Sequence, residues 1–255
     1  MKKGLRDRIT EGRPVLFLGI ALFDSAVVEM AALAGCDGVV IDSCQTRWSP
    51  ERVREMILAA DSRGIYTIIR AANIEDAVSV LDYGADAVMF DQIESVDEAI
   101  KLVENCKYPP IGKRGMSARG RSKKYGLISA NESIHFCNSQ TLLIIQIETK
   151  IGLDNIDEIL SVQGIDMVSS GRNDLALSLG VPGETSASIV IEAEKKICET
   201  SEKHNMLPVL MTASDRAEAE QLINNGMTVI SIGNDTSFLL SSIKSKVQEI
   251  QKAYI

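Results

Sequence analysis

Histidine is scarce in this chain of 255 residues, and the scarcity restricts the chemistry open to it. The two histidines, His135 and His204, are too few for a multi-histidine metal site. Histidine is also the side chain whose ordinary pKa suits proton exchange near neutral pH. The usual acid–base residue is therefore available at two positions only.

Long apolar runs, an excess of basic residues and closely paired cysteines are lacking too. No apolar run approaches the ~20 residues that span a bilayer, and the charged residues 1–10 predict no secretory signal. Lys and Arg total 27 against 35 Asp and Glu, a net charge of −8, which argues against a nucleic-acid or membrane partner. The five cysteines include no CxxC pair, so we expect reduced thiols in a cytoplasmic protein and no structural zinc site.

The composition is that of a folded soluble protein. Hydrophobic residues make up 45% of the chain and charged residues 24%, both ordinary values for a globular domain. The length suits one large domain or two small ones.

Four short passages of the chain resemble one another. In each, a glycine follows a helix-like stretch and opens a short apolar run, and glycine can adopt the left-handed conformation that ends a helix. The steps between them are long enough for two strand–helix units each, so the recurrence predicts a repeated β/α architecture. The passages begin at Gly35, Gly84, Gly164 and Gly226.

Eight strand candidates alternate with helical patterns. Most are continuous apolar runs, which are typical of a parallel sheet covered on both faces. Eight such units in about 250 residues indicate an α/β fold, a (β/α)8 barrel that forms a single domain over residues 1–255. A doubly wound sheet is the alternative, but no GxGxxG motif follows the first strand. The predicted strands are residues 15–22, 38–42, 66–70, 87–91, 142–148, 167–170, 207–211 and 229–233, and the predicted helices are 25–33, 50–62, 74–83, 95–106, 189–204, 217–225 and 238–253.

Residues 107–140 form an insertion between the fourth and fifth strands. It contains a basic stretch from Lys113 to Lys124 in an otherwise acidic chain. The stretch is either a solvated loop or a loop that helps to bind an anionic substrate. We favour the second interpretation, because we expect the stretch to start near the carboxyl end of a strand, where barrel active sites lie.

Two carboxylates, Glu148 and Asp174, follow strongly apolar strands. Burying a carboxylate is costly unless it is paired or bound to a metal. Two carboxylates completed by water suit Mg²⁺ or Mn²⁺. The alternative is that both form salt bridges with Arg70 or Arg172, and the spacing alone does not choose between the two.

A short helix is expected to start after the sixth strand, at Gly171-Arg172-Asn173-Asp174. Its backbone N–H groups can hold an anion such as a substrate carboxylate. Arg70 is a fixed cation at the end of the third strand. It can stabilise an oxyanion or enolate, or merely neutralise Glu148.

Several passages taken together make the chain resemble the HpcH/HpaI family of metal-dependent class II pyruvate aldolases, which are (β/α)8 barrels. The similarity runs from about Leu5 to beyond Phe238. The matching passages are Val39-Val40-Ile41-Asp42, Ile69-Arg70, Tyr108-Pro109-Pro110-Ile111-Gly112-Lys113-Arg114-Gly115, Ile145-Gln146-Ile147-Glu148-Thr149, Gly164-Ile165-Asp166 and Gly171-Arg172-Asn173-Asp174-Leu175-Ala176-Leu177-Ser178-Leu179-Gly180.

The resemblance implies a carbon–carbon lyase that acts on a small 2-oxo acid through a pyruvate-type enolate. It implies that Glu148 and Asp174 are the ligands of a divalent cation, Mg²⁺, Mn²⁺ or Co²⁺. Arg70 would contact the keto oxygen, and the backbone around Asn173 and Asp174 would hold the carboxylate. It also implies a homo-oligomer, a hexamer or trimer of dimers, in which the last helix, residues 238–253, packs on another subunit.

The sequence departs from the family pattern after the second strand. The family has Asp-Gly-Glu-His there, and this chain has Asp42-Ser43-Cys44-Gln45. Gln45 thus stands where the family has a histidine that works with the aspartate in proton transfer, and an amide does not exchange a proton near neutral pH. We expect neither His135 nor His204 to replace it, and we interpret Cys44 as a small apolar filler.

Three functions remain open at this point. The enzyme can be an aldolase that takes its base from Asp42, from metal-bound hydroxide or from the substrate. It can catalyse another enolate reaction, a decarboxylation or a condensation, that needs no histidine. It can also be a non-catalytic 2-oxo acid-binding protein. In each case we expect the Met211-Thr212 rim to contact the substrate tail.

Overall fold

Eight parallel strands close into a barrel in which each strand pairs with the next along the chain and β8 pairs with β1. The structure, a computed structural model, describes residues 3–117 and 119–253. The predicted (β/α)8 architecture is confirmed. The strands are β1 Val15–Ile20, β2 Gly38–Asp42, β3 Tyr66–Arg70, β4 Ala87–Phe90, β5 Leu142–Ile147, β6 Met167–Ser170, β7 Leu210–Thr212 and β8 Val229–Asn234.

Helices surround the barrel and return the chain from the carboxyl end of each strand to the start of the next. A short helix precedes the first strand, and two short helices follow the fifth. The helices are α1 Leu5–Thr10, α2 Ser25–Leu33, α3 Pro50–Arg63, α4 Ile74–Tyr83, α5 Val96–Cys106, α6 Ala130–Gln140, α7 Lys150–Asp154, α8 Ile156–Leu160, α9 Arg172–Ser178, α10 Ser188–Lys203, α11 Arg216–Asn224 and α12 Asp235–Gln251.

Alternate residues of each strand fill two separate cores. Along β3, Ile68 points into the barrel and Ile69 points to the layer between the barrel and the helices, and both are fully buried. This alternation fills the barrel interior with side chains. Leu5 and Ile9 of α1 belong to the inner core and close the amino-terminal end of the barrel. The interior is therefore open only towards the carboxyl ends of the strands.

Some element boundaries differ from the predicted ones for local reasons. β7 begins at Leu210 and not at residue 207, since Pro208 lacks the N–H that a strand needs for pairing. α12 begins at Asp235 and not at residue 238, because the side chain of Asn234 accepts a hydrogen bond from the Ser237 N–H and caps the helix. The four recurring glycines have φ between +82° and +109°, which is the left-handed conformation that their positions require.

The insertion lies at the amino-terminal end of the barrel. It starts where α5 ends and holds a 3₁₀ helix, Arg121–Gly126, and α6. Arg114 pairs with Asp82 and Arg121 pairs with Asp61, near the ends of α4 and α3 that lie away from the strand carboxyl ends. The basic stretch therefore does not lie at the carboxyl ends of this chain's strands, because α5 returns the chain to the amino-terminal end of the barrel. The expectation that the stretch binds a substrate at the carboxyl ends of these strands is wrong.

Across residues 3–117 and 119–253, no helix combines the length and apolarity that crossing a bilayer requires.

Candidate active site

A cavity of about 570 Å³ opens at the carboxyl ends of the strands. Eight of the ten predicted site residues line it: Asp42, Gln45, Arg70, Gly171, Arg172, Asn173, Asp174 and Thr212. Glu148 and Met211 do not. Because the strands are parallel, their carboxyl ends meet at one edge, and side chains that are remote in sequence converge there.

An ion network crosses the ends of β2, β3 and β4. Asp42 and Arg70 are partners in the strand register, so their side chains lie side by side. Arg70 donates to Asp42 Oδ2 at 3.1 Å and to the Asp91 oxygens at 3.1 and 2.6 Å. Burial disfavours the charged guanidinium, but the hydrogen bonds and charges of Asp91 and Asp42 hold the pKa of Arg70 above its ordinary value. Arg70 is thus held in a single orientation.

Glu148 lies just beneath the cavity and is only 2% exposed. The side-chain amide of Gln146 donates a hydrogen bond to it, because residues two apart on a strand face the same way. Burial raises the pKa of Glu148 to about 7, and the charges of Asp91 and Asp174 add to the rise, whereas Gln146 and Arg70 oppose it. The positive charge near Glu148 is therefore too small to offset its burial and the neighbouring carboxylates.

Neither predicted arginine neutralises Glu148 or Asp174. Arg70 forms its ion pairs with Asp42 and Asp91. Arg172 forms its own with two carboxylates on the outer helices, as described below. Within the described part of the chain, Glu148 and Asp174 form no ion pair. The salt-bridge alternative therefore does not account for these two carboxylates.

The guanidinium of Arg172 points away from the cavity centre, towards α10 and α11. It donates two hydrogen bonds to Glu194, both at 2.9 Å, and one to Glu218 at 2.5 Å. Burial opposes its charge, but these bonds raise the pKa of Arg172 further above its ordinary value. The side chain anchors the start of α9, which holds Gly171, Asn173 and Asp174 at the cavity.

The residue at position 45, beside Asp42, is a glutamine and not a histidine. The backbone N–H of Gln45 donates to Asp42 Oδ1 at 2.9 Å, and its exposed side chain lines the cavity. His204 follows the last residue of α10 and contacts Asp157 at 2.8 Å on the outside of the barrel. His135 lies on α6 in the insertion. Both are remote from the cavity, as the sequence predicts.

Known proteins are similar to this chain in sequence and in fold. A sequence model of the family described as HpcH/HpaI aldolase/citrate lyase matches residues 13–242.

The chain belongs to the HpcH/HpaI aldolase/citrate lyase family.

Individual relatives agree with this family. The chain is 29% identical over 244 residues to the hydroxypyruvate/pyruvate aldolase of Roseobacter denitrificans, with 93% of each protein covered. A family member from Burkholderia cenocepacia matches in structure with a TM-score of 0.87 and 26% identity, over 97% of this chain and 98% of the other. The family assignment confirms the expected resemblance and the expectation of an enzyme of the aldolase type.

A more distant solved structure shares the fold. It is the protein CitE from Mycobacterium tuberculosis in complex with magnesium and pyruvate. Its TM-score is 0.60 at 16% identity, over 88% of this chain and 86% of the other.

The site departs from the predicted one at Met211, whereas Cys44 agrees with its interpretation as a small filler. Met211 is buried in the layer between barrel and helices, because alternate residues of β7 face opposite ways, and its two neighbours Leu210 and Thr212 line the cavity instead. The expected substrate contact of Met211 is therefore wrong. Cys44 lies beside Asp91, and burial, followed by the charge of Asp91, raises the pKa of its thiol. This environment disfavours a thiolate.

Sequence reasoning missed two polar residues of the site. Asp91, at the end of β4, fixes Arg70, and Gln146 bonds to Glu148. Both had a signal in the sequence: Asp91 directly follows a buried strand, and Gln146 lies two residues before Glu148 at the end of β5, a spacing that points two side chains the same way in extended backbone.

The donor set suits a hard divalent cation. Among the described residues, no three His, Cys, Asp or Glu side chains are grouped as a metal cage. Glu148 and Asp174 supply two carboxylates, and the amide nitrogen of Gln146 donates a hydrogen bond to Glu148. Mg²⁺ commonly takes one or two carboxylates and keeps several waters. The unneutralised, raised-pKa carboxylate fits such an ion.

Proposed function

We propose that this chain is an aldolase that breaks and forms a carbon–carbon bond of a 2-oxo acid through a pyruvate-type enolate, with a divalent cation as cofactor. One observation carries the proposal. Glu148 and Asp174 lie together at the carboxyl end of the barrel, and no cation of the described chain neutralises either. Membership of the aldolase/citrate lyase family supports it.

Glu148 and Asp174 would hold the cation, with Mg²⁺ or Mn²⁺ preferred and Co²⁺ as a third candidate. When bound, the ion would polarise the 2-oxo group and offset negative charge that develops there. A fold relative that holds magnesium together with pyruvate supports this combination of ligands.

The chain's own residues would bind and orient the pyruvate unit. The backbone around Gly171, Asn173 and Asp174 would hold the substrate carboxylate. Arg70 would donate to the 2-oxo oxygen, where negative charge grows as the enolate forms. Asp42 and Asp91 keep the guanidinium in place, so little reorganisation is needed during the reaction.

Asp42 is the group we assign to proton transfer. Asp42 and Asp174 are the two carboxylates that line the cavity, and Asp174 is assigned to the cation. In cleavage, Asp42 would take the proton of the C4 hydroxyl as the C3–C4 bond breaks, which releases a carbonyl compound and the enolate. The protonated Asp42 would then return a proton to the enolate carbon and give pyruvate. Gln45 would orient Asp42 or the substrate by hydrogen bonds, without exchanging a proton.

Gln45 also favours a second candidate function. A decarboxylation, or a condensation that needs no proton-exchanging side chain, would use the same arginine and carboxylates without a histidine.

The test is exchange of the pyruvate methyl protons in D₂O, followed by NMR with Mg²⁺, Mn²⁺ or Co²⁺ added. The aldolase predicts metal-dependent exchange and cleavage of 4-hydroxy-2-oxo acids to pyruvate. Exchange without cleavage would favour the second candidate. A thermal shift with pyruvate, but neither exchange nor cleavage with any of the three ions, would contradict both enzymatic functions.

We also propose a cytoplasmic homo-oligomer, a hexamer or trimer of dimers, built from one domain over residues 1–255. The five cysteines have free thiols, which suits a reducing compartment. α12 supports assembly because its apolar side chains are exposed, and we expect it to pack on another subunit, a point that light scattering of the full chain can check. These side chains are Phe238, Leu239, Leu240, Ile243, Val247 and Ile250.

A further inference from the structure

The cavity has an ionic half and a neutral half. The ionic half, formed by Asp42, Arg70 and Asp174, is the part that the proposed reaction uses. The opposite half lies at the ends of β7 and β8 and beside the segment before α10. The charged lining residue at its edge, Arg172, is ion-paired with Glu194 and Glu218, and the other polar side chains of this half are hydroxyls and one amide. We call it the neutral half; its members are Thr185, Thr212, Ser214, Ser231, Asn234 and Thr236.

No cation that lines the cavity is free to hold a second anionic group of a substrate. The two lining cations are Arg70 and Arg172. Arg70 already pairs with Asp42 and Asp91, and Arg172 with Glu194 and Glu218. A substrate tail that ends in a carboxylate would enter the neutral half without a counter-charge in the described chain.

A phosphate is disfavoured as well, at the start of α12. In (β/α)8 barrels, the loops after the last two strands and a helix amino terminus frequently bind phosphate. Here the buried carboxylate of Asp235 accepts the backbone N–H groups of Ala21 at 3.0 Å, Leu22 at 2.9 Å and Thr236 at 2.7 Å. The side chain of Asn234 accepts the next N–H of the helix. The chain's own oxygens therefore occupy the donors that a phosphate would use.

Hydroxyl groups of the neutral half are available to a ligand. In the part of the chain that the structure describes, the hydroxyls of Thr185 and Thr212 form no hydrogen bond, and both residues line the cavity. An apolar ligand would take these groups out of water without replacing their hydrogen bonds. A site built to bond a substrate hydroxyl discriminates strongly against the analogue that lacks it.

We propose that the carbonyl half of the substrate is a neutral, hydroxyl-bearing aldehyde, bound in the neutral half of the cavity. In synthesis, the methyl carbon of pyruvate, as its enolate, bonds to the aldehyde carbon, and the aldehyde oxygen takes a proton and becomes the C4 hydroxyl. The product is a 2-oxo acid with further hydroxyl groups beyond C4. This inference rests on the proposed aldolase function and names its substrate class.

The test compares four aldehydes as partners of pyruvate, with the purified full chain and Mg²⁺ or Mn²⁺. Glyceraldehyde and propanal have the same carbon skeleton and differ in two hydroxyls. Succinic semialdehyde adds a carboxylate, and glyceraldehyde 3-phosphate adds a phosphate. We expect kcat/KM for glyceraldehyde to exceed that of each of the others by at least about 10-fold. Equal or higher values for propanal or for either anion would overturn the inference.

Variants separate recognition by the site from the intrinsic reactivity of the aldehydes. Thr212→Val keeps the shape and removes the hydroxyl, so kcat/KM for glyceraldehyde should fall about 10-fold relative to kcat/KM for propanal. Thr200→Val, on α10 and away from the cavity, is the matched control and should change neither value. Unchanged discrimination in Thr212→Val would contradict the assigned role.

A failure of this inference is distinguishable from a failure of the proposed function. Exchange of the pyruvate methyl protons needs no aldehyde. Normal exchange without a preference for glyceraldehyde overturns the inference alone. If the protein shows no exchange of the pyruvate methyl protons and no condensation with any of the four aldehydes, the proposed function is overturned, and the inference is overturned with it.

Discussion

The two ends of the barrel both bury charged side chains, but they balance them differently. At the amino-terminal end, Asp166 accepts from Lys107 at 2.6 Å, from Arg6 and from the backbone N–H of Leu143 at 2.7 Å. At the carboxyl end, Glu148 accepts a hydrogen bond from one side-chain amide and pairs with no cation of residues 3–117 and 119–253. A buried carboxylate that is paired inside the chain is costly to unpair, whereas a buried carboxylate without a counter-charge can bind an added cation.

The same comparison separates two kinds of arginine at the carboxyl end. Arg172 pairs with glutamates of the outer helices and holds α9. Arg70 pairs with two aspartates at the ends of β2 and β4, so its charge remains at the cavity. Both side chains are ion-paired, but of the two only the Arg70 guanidinium pairs with carboxylates at the cavity, which suits the role that we propose for it at a developing oxyanion.

The largest expected effect is on activity, from Glu148→Gln. Because this change removes a proposed cation ligand, pyruvate proton exchange and aldol cleavage should fall by at least about 1000-fold, and calorimetry should show weaker Mn²⁺ binding. The exposed Glu192→Gln on α10 is the matched control and should retain both. Full activity in Glu148→Gln would contradict the ligand role.

Asp166→Asn tests the opposite end and should affect stability, not chemistry. It leaves Lys107, which is only 4% exposed at its side chain, without a counter-charge. We expect the free energy of unfolding to fall by about 3 kcal/mol, measured by urea denaturation. Asp157→Asn, in an exposed pair with Lys203, is the control and should cost less than about 1 kcal/mol. Equal losses in the free energy of unfolding would show that breaking the buried ion pair costs no more than breaking the exposed one.

The fold was largely predictable, because strand–helix alternation is a local property. The predicted bounds of β2, β3 and β6 coincide with the observed ones, whereas β7 was displaced around Pro208. Topology then brings strand ends together, so proximity of Asp42 and Arg70 follows from the barrel alone.

The partners of the charged residues were not predictable. Arg172 is held by residues 22 and 46 positions further along the chain, on the faces of two later helices. No local pattern marks such pairs. The prediction that the basic stretch binds a substrate was wrong for a related reason. The position of the stretch depends on where α5 ends, not on where β4 ends.

The pH dependence of the free energy of unfolding tests whether Glu148, unlike Asp166, is buried without a counter-charge. Its pKa rises from the ordinary 4.5 to about 7 in the folded, cation-free protein. Between these pH values the folded state binds more protons than the unfolded state, so Glu148 reduces stability as pH rises. Relative to Glu148→Gln, the wild type in chelator should lose on the order of 2 kcal/mol between pH 4.5 and pH 8. Urea denaturation at several pH values measures the difference, and added Mn²⁺ should diminish it. A constant difference would contradict the raised pKa.

The smallest expected effect concerns Gln45. Its backbone already bonds to Asp42, and its side chain lines the cavity. An imidazole at this position exchanges protons near neutral pH, so Gln45→His should raise pyruvate proton exchange up to about 10-fold, and the pH–rate profile should gain an apparent pKa near 6–7. Gln45→Leu, similar in size but without hydrogen bonds, is the matched comparison. If both variants lose activity, the amide of Gln45 itself bonds to the substrate, and the absence of histidine is then an adaptation of this chain to its own reaction.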